Sequence, residues 1–360
     1  MAMKLARSLL PILIFLWAFH NPACAETALR VGLALPLSGV GAPYGRAYYN
    51  GLMFELSQKP GAVELVIEDH QYDNKSSLAA VRKLTQIDKV SMVVVWGYGP
   101  SDAVAPIVPK HGAPFMLGSL NPVGKERPEI LNLSAPLKVT LAPLVEYLKG
   151  RERRKISIIA AQIGAMDQSA QVLEAALAAD RPTLERVMPD QLDFRSLIAR
   201  LKAAEVNSLG LFLTPAQIKS FVQQAQSLQF IPEYFGMDTF NDAVVLDLFS
   251  DQGNGPIFVD AFSDPIFMER YKERFRDVSH AVEAARGALL GQLLLHISAH
   301  GRNSMGIFAN AGILQALSAF PSGRGPAGAY EIVEDPNFGT YLAVRQVLYQ
   351  ISNGKVRNLL

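Results

Sequence analysis

The chain has 360 residues, of which 49% are hydrophobic and 19% are charged, and its formal net charge is +1. This near-neutral balance gives no electrostatic reason to expect nucleic acid or an anionic membrane surface as a partner. The length suits two domains of roughly 100–200 residues each.

The first 25 residues are predicted to be a secretory signal peptide, which implies a periplasmic protein. Lys4 and Arg7 precede a short apolar core, and Ala23-Cys24-Ala25 matches the small-residue cleavage pattern. The apolar core is shorter than the ~20 residues of a membrane-spanning helix. Lipoprotein anchoring is not expected, because Asn21-Pro22-Ala23 is a poor lipidation signal. Cys24 is the only cysteine, so the mature protein is expected to contain no disulfide and no cysteine metal ligand.

From Leu29 onward, short apolar runs alternate with amphipathic stretches. The first series predicts strands at 29–35, 63–68, 92–96 and 114–117, with helices at 44–57, 75–88 and 101–110. After a polar, proline-containing link at 118–136, a second series predicts helices at 137–149, 167–179, 194–203 and 215–228 and strands at 155–161, 184–188 and 208–213. Alternation of this kind indicates two α/β lobes, each with a parallel sheet between helices.

The rest of the chain departs from this alternation. A strand is predicted at 257–259, helices at 265–276 and 280–300, and two short strands at 329–333 and 340–347.

Catalytic and metal motifs are weak. Gly39, Gly41 and Gly45 follow the first strand and imitate a dinucleotide fingerprint, but their spacing is one residue too long and Pro43 interrupts the turn. His296-x-x-x-His300 has metal-ligand spacing but no third ligand at motif distance. No G-x-S-x-G serine hydrolase motif occurs. We therefore expect a protein that is not an enzyme and needs no cofactor or metal.

Small polar residues recur where predicted strands end. They lie in Gly97–Ser101, Gly118–Asn121 and Gly236–Thr239. Ligands bind at the carboxyl ends of such strands, and hydroxyl, amide and backbone N–H groups suit a carboxylate, whereas an acid suits an ammonium group. The same residues also serve as helix caps and turn residues, so both interpretations stay open.

Several segments, taken in order, resemble the type I periplasmic solute-binding proteins of branched-chain amino-acid ABC transporters. The matching residues are Arg30–Leu37 with Ser38-Gly39 and Tyr44-Gly45, Val66–Asp69, Lys89–Val95, Ala103–Pro106, His111–Pro114 and Asp193–Leu197. The resemblance implies an α/β fold of two doubly wound parallel-sheet lobes joined by a hinge that the chain crosses three times, near 120–140, 260–264 and 334–340. Lobe 1 would comprise 26–135 plus 262–336, and lobe 2 would comprise 136–261 plus 337–360.

The resemblance also implies a ligand-binding cleft between the lobes. Tyr44 occupies the aromatic position of the first loop, and Gly99 and Ser101 correspond to the serine loop that holds a carboxylate. Ser119 and Asn121 occupy the small-residue and threonine positions after the fourth strand. Asp238 falls where the family places the acid that pairs with an α-ammonium group.

The sequence departs from the family pattern at three of these places. Gly99-Pro100 shortens the serine loop, Ala165-Met166 replaces an aromatic–glycine pair, and Arg286 lies near a position that is often tyrosine. Arg286 is therefore a seventh candidate ligand residue, and these changes favour a solute other than leucine.

The function implied is that of a monomeric receptor that delivers a small amino acid or a related carboxylate or amide to an ABC permease in the inner membrane. The alternative is a periplasmic sensor of the same fold that signals to a partner protein.

Overall fold

The computed structural model describes residues 28–39, 41–109, 112–150, 155–276 and 279–359. The predicted signal peptide at 1–25 lies outside the described residues. Strands are β1 (Leu29–Leu35), β2 (Val63–Asp69), β3 (Met92–Val95), β4 (Phe115–Leu117), β5 (Ile130–Asn132), β6 (Ile156–Ala161), β7 (Thr183–Val187), β8 (Ser208–Phe212), β9 (Glu233–Gly236), β10 (Ile257–Ala261), β11 (Gly323–Gly325), β12 (Gly328–Asp335), β13 (Gly339–Val344), β14 (Gln346–Ser352) and β15 (Lys355–Asn358).

The helices of the described residues flank these strands. They are α1 (Ala42–Leu56), α2 (Asn74–Arg82), α3 (Tyr98–Val104), α4 (Leu137–Thr140), α5 (Ala142–Lys149), α6 (Gly164–Ala176), α7 (Arg195–Ala203), α8 (Pro215–Ser227), α9 (Ala243–Asp247), α10 (Pro265–Arg274), α11 (Ala281–His300) and α12 (Asn310–Ser318).

Two mixed sheets, each mainly parallel, organise the molecule. The first has the order β11-β12-β13-β5-β4-β3-β1-β2, and the second has the order β15-β14-β10-β9-β8-β6-β7. In each sheet the antiparallel pairs lie toward one edge, where β12 joins β13 and where β14 joins β10. The predicted α/β class with two sheet-centred lobes is confirmed, and the chain passes between the sheets after β5, after β10 and after β13.

The last passage between the sheets lies later than predicted. Asp335 accepts hydrogen bonds from the backbone N–H groups of Asn337 and Phe338, at 2.8 and 3.0 Å, and so closes a tight turn after β12. A short turn of this kind joins antiparallel neighbours, which keeps β13 in the first sheet. Only Arg345 then separates β13 from β14 of the second sheet.

Two of the passages between the sheets are bonded to each other. Phe262, directly after β10, donates its backbone N–H to the carbonyl oxygen of Arg345 at 2.9 Å. The Arg345 guanidinium also lies over the Phe262 ring, 5.3 Å from its centroid. These contacts hold the second and third connections side by side.

The link predicted at 118–136 contains a strand that the sequence pattern did not reveal. β5 is only three residues long and lies between proline-containing turns, so it shows no measurable periodicity. It is fully buried and pairs with β4 in parallel.

Helix α11 is the central helix of the first lobe. Of its 20 residues 13 are buried, as expected for a helix that contacts protein on nearly all sides. It packs against α1 and the strands of the first sheet in one apolar cluster that includes Leu52, Leu289 and Leu293. Glu283 and Arg286, in the first two turns of α11, line the space between the two sheets.

Candidate functional site

A cavity of about 340 Å³ lies between the two sheets. Small-molecule sites typically measure about 300–1,000 Å³ and favour the carboxyl ends of parallel strands. Both lobes line it, with Trp96 and Leu342 from the first and Phe212 and Met237 from the second. The cavity thus has the size and position of a site for a small organic molecule.

Five aromatic side chains form one wall of the cavity. Tyr44 and Tyr48 stand one turn apart on α1, which begins with Pro43 in its first turn, so their rings share a helix face. Tyr72 lies in the loop after β2, Trp96 directly follows β3, and Tyr98 is the first residue of α3. The Tyr72 and Trp96 ring centroids are 6.0 Å apart in an edge-on arrangement.

His70 fixes two of these aromatic residues. Its Nε2 lies 3.0 Å from the Trp96 carbonyl oxygen, and its Nδ1 lies 3.1 Å from the Tyr72 backbone nitrogen. Because the Tyr72 N–H must donate, we assign the His70 proton to Nε2, which donates to Trp96. The ring is fully buried, and burial lowers the pKa of His70, so the imidazole is neutral at pH 7.

A charged pair from α11 faces the aromatic wall. Arg286 Nη1 donates to Glu283 Oε1 at 2.7 Å, and Trp96 Nε1 donates to the other oxygen of Glu283 at 3.1 Å. The side chain of Glu283 is only 10% exposed and that of Arg286 is 26% exposed. Both oxygens of Glu283 are therefore satisfied, while part of the guanidinium faces the cavity.

Two aspartates from the second lobe lie opposite. Asp238 follows β9 and is accessible from the cavity, although protein surrounds the carboxyl group on its other sides. Burial raises the pKa of Asp238, and the positive charge of Arg286 opposes that effect. Asp260 on β10 is buried behind it, where burial, together with the charge of Asp238, raises the pKa of Asp260 to about 7. The Ala261 backbone N–H donates to Asp260 at 2.7 Å.

The structure brings three of the seven predicted ligand residues to the cavity wall, namely Tyr44, Asp238 and Arg286. Ser101 lies behind the wall, fully buried. Its hydroxyl donates to the Val95 carbonyl at 3.0 Å and accepts the Gly118 N–H at 2.9 Å. It lies within α3, which begins at Tyr98, and the predicted start of that helix at residue 101 is therefore wrong.

Ser119, Asn121 and Gly99 also lie off the cavity wall. The Ser119 hydroxyl donates to Asp102, and Asn121 Nδ2 donates to the second oxygen of Asp102 at 2.8 Å. Gly99 lies in α3, where a Cβ would be 3.2 Å from the Asn74 side chain. In this structure the bonds of Ser119 and Asn121 to Asp102 tie the β4–β5 connection to α3.

Several wall residues escaped the sequence analysis. Trp96 and Tyr98 flank Gly97 directly after β3, so the strand-end pattern that singled out 97–101 also covered Tyr98. Glu283 lies three residues before Arg286, a spacing that pairs charges on a helix. No local signal pointed to Tyr72, whose φ of 61° sets a turn after β2.

The histidine pair carries no sign of metal binding. The His296 and His300 rings are 4.6 Å apart, and His296 also contacts the edge of the Phe320 ring. Among the described residues, no group of three or more His, Cys, Asp or Glu side chains is arranged to hold a metal ion. Within the same residues, none of the helices has the length and apolar character needed to cross a membrane.

A family model described as periplasmic binding protein matches residues 28–346. Among solved structures, an ABC transporter substrate-binding protein from Sphaerobacter thermophilus has a TM-score of 0.78 at 19% identity, covering 92% of this chain and 96% of that one. A branched-chain amino acid transporter substrate-binding protein from Streptococcus pneumoniae in complex with isoleucine has a TM-score of 0.76 at 17% identity, covering 92% of this chain and 98% of that one. An ABC transporter solute-binding protein from R. palustris in complex with benzoate has a TM-score of 0.75 at 18% identity, covering 92% of this chain and 95% of that one.

Proposed function

Because the chain belongs to the periplasmic binding protein family, whose members bind solutes and are not enzymes, we propose that it is an exported solute receptor of an ABC importer. Its inter-lobe cavity captures a small amino acid or a related carboxylate or amide. The loaded protein then presents the solute to a permease in the inner membrane.

One observation carries this proposal: opposite charges face the same cavity from opposite lobes. Arg286 comes from the first lobe and Asp238 from the second. A solute with a carboxylate and a positive group can contact both at once, which favours the approach of the lobes around it. The isoleucine and benzoate complexes of structures with this fold support a carboxylate-bearing solute.

Binding is tested with protein refolded from denaturant, so that no carried solute remains. Thermal unfolding and calorimetry are recorded against amino acids, aromatic carboxylates and amides. At a free solute concentration of about 100 Kd, the folded state should gain roughly 2.7 kcal/mol, which gives a clear increase in Tm.

Asp238→Asn should remove the response to amino acids, while Asp251→Asn, at an exposed acid outside the cavity, serves as the matched control. The proposal fails if no small organic solute of any class raises the Tm.

A further inference from the structure

The groups that the resemblance assigns to carboxylate binding already form hydrogen bonds with other protein groups. The Ser101 hydroxyl is bonded to the first-lobe backbone on both sides, and the Gly118 N–H is one of its partners. The Ser119 hydroxyl donates to Asp102, and its backbone N–H donates to Asn132 at 3.1 Å. An anion would have to break these bonds before it could use the same donors, so these donors are not free to bind a carboxylate in this structure.

The charges of the cavity favour a cation. Arg286 is the single basic side chain among the described residues that line it, and Glu283 neutralises it through the ion pair. Asp238 at the wall and Asp260 behind it have no basic partner of their own among the wall residues. A positively charged solute would offset the charge of Asp238 and favour the ionised form of Asp260, whereas an anionic solute would be repelled by them.

The aromatic rings and the Gln346 side chain also suit a solute that carries a positively charged N–H group. Five aromatic residues line the same cavity as the charged groups, and the electron-rich faces of such rings attract organic cations. On the second-lobe side of the cavity, Gln346 Nε2 donates to the Val344 carbonyl at 3.2 Å, but its buried Oε1 has no hydrogen-bond partner among the described residues. A buried acceptor of this kind is satisfied by an N–H group of the solute.

The cavity continues from the charged groups into an apolar region. Along α11, Glu283 and Arg286 are followed by Leu289 and Leu290, which also line it. With a rise of 1.5 Å per residue, Glu283 and Leu290 are separated by about 10 Å along the helix. Three further apolar side chains line the cavity and pack against the cluster of Leu289 and Leu290, namely Leu133, Leu342 and Val344. A solute of matching shape has a polar head and an apolar body.

The geometry points to an organic cation with an apolar body, of the arylalkylamine or alkylamine class, as the solute of this cavity. This inference rests on the proposed role as a solute receptor, and it replaces the carboxylate-bearing or amide-bearing solute named there with an amine. The ammonium group lies between Asp238 and the aromatic wall, and the apolar body extends along α11 toward Leu290. A carboxylate on the solute is not required.

Probes of similar shape and different charge test this inference. Calorimetry is performed with 2-phenylethylamine, phenylacetate and L-phenylalanine, which share a phenyl ring and differ in charge. We expect the amine to bind at least about tenfold more tightly than the other two. Asp238→Asn should weaken amine binding roughly 30-fold or more, the loss typical when one member of a close charge pair is removed. Asp251→Asn, the exposed control, should leave it unchanged.

The comparison is repeated with n-hexylamine and hexanoate, so that the fit of the phenyl ring does not decide the result. If the carboxylates or phenylalanine bind as tightly as the amines, or if Asp238→Asn binds the amines undiminished, the cation inference is overturned and the proposed function stands. If no probe and no other small solute binds, the proposed function fails as well.

Discussion

Gly287 lies directly against the main chain of Tyr48: a Cβ at position 287 would be 1.9 Å from the Tyr48 carbonyl oxygen. Gly51 and Ala284 make the reciprocal contact, where a Cβ on Gly51 would be 1.8 Å from the Ala284 oxygen. The backbones of α1 and α11 therefore touch at two places. This close approach sets the aromatic wall on α1 beside the charged pair on α11.

Gly287→Ala should separate these helices and lower the free energy of unfolding by about 3 kcal/mol or more, because the obstructing atom is backbone and cannot rotate away. Urea unfolding measures the loss. Gly253→Ala is the matched control, since a Cβ there meets no atom of the described residues within 4 Å. A Gly287→Ala variant as stable as the control would contradict the contact.

Breaking the Glu283–Arg286 pair from one side should be more harmful than removing both charges. Arg286→Met leaves the Glu283 carboxylate, 10% exposed, without its ion-pair partner, and we expect a loss of about 2–4 kcal/mol in unfolding free energy. Adding Glu283→Gln to this variant should recover much of the lost unfolding free energy. Denaturant unfolding of the wild type, both single variants and the double variant gives the coupling energy. Additive single effects would argue against the pair.

Asp260 should make the solute-free protein less stable as pH rises. Its folded-state pKa of about 7 lies above the ordinary 3.8, so the folded state holds a proton that the unfolded state has released over that interval. The carboxyl groups of Asp238 and Glu283 and the guanidinium of Arg286 act on it, and the Tyr349 hydroxyl lies within range of its charge. Unfolding free energy should therefore decline between about pH 4 and pH 7.

The matching variant is Asp260→Asn, whose side-chain oxygen can still accept the Ala261 N–H. We expect it to be more stable than the wild type at pH 8 by roughly 2–4 kcal/mol, because the buried group no longer ionises. At pH 4 the two proteins should differ much less. Parallel stability curves for the two proteins from pH 4 to pH 8 would refute the assignment.

Asp102→Asn separates a structural role from a binding role for the residues after β4. The asparagine side chain presents only one oxygen to the two donors Ser119 and Asn121. Stability should fall by about 1–2 kcal/mol, while solute affinity stays within a factor of two. Thermal unfolding and calorimetry on one preparation measure both. A large loss of affinity without a loss of stability would return Ser119 and Asn121 to the binding site.

Local pattern predicted much of the fold. β1 has the predicted bounds because its mainly apolar run is followed by Pro36, and α8 matches to within one residue because Thr214 caps it. β5 and β9 have three and four residues and were not predicted, since so few residues show no period.

The site was less accessible to sequence reasoning. Tyr44 and Asp238 were assigned to the site through the resemblance to the family, and both line the cavity. The bond between Trp96 and Glu283 joins residues 187 positions apart, and no local pattern encodes it. Whether a hydroxyl such as that of Ser101 faces the cavity or a neighbouring carbonyl depends on the packed structure alone.

The connection from β13 to β14 has a mechanical consequence. Val344 and Gln346 both line the cavity, and the single residue between them, Arg345, is bonded to Phe262 of the neighbouring connection. If one sheet rotates relative to the other, we expect the torsion angles at Arg345 to change and the cavity wall on either side to move. The short β13–β14 connection would then couple occupancy of the cavity to the orientation of the two sheets.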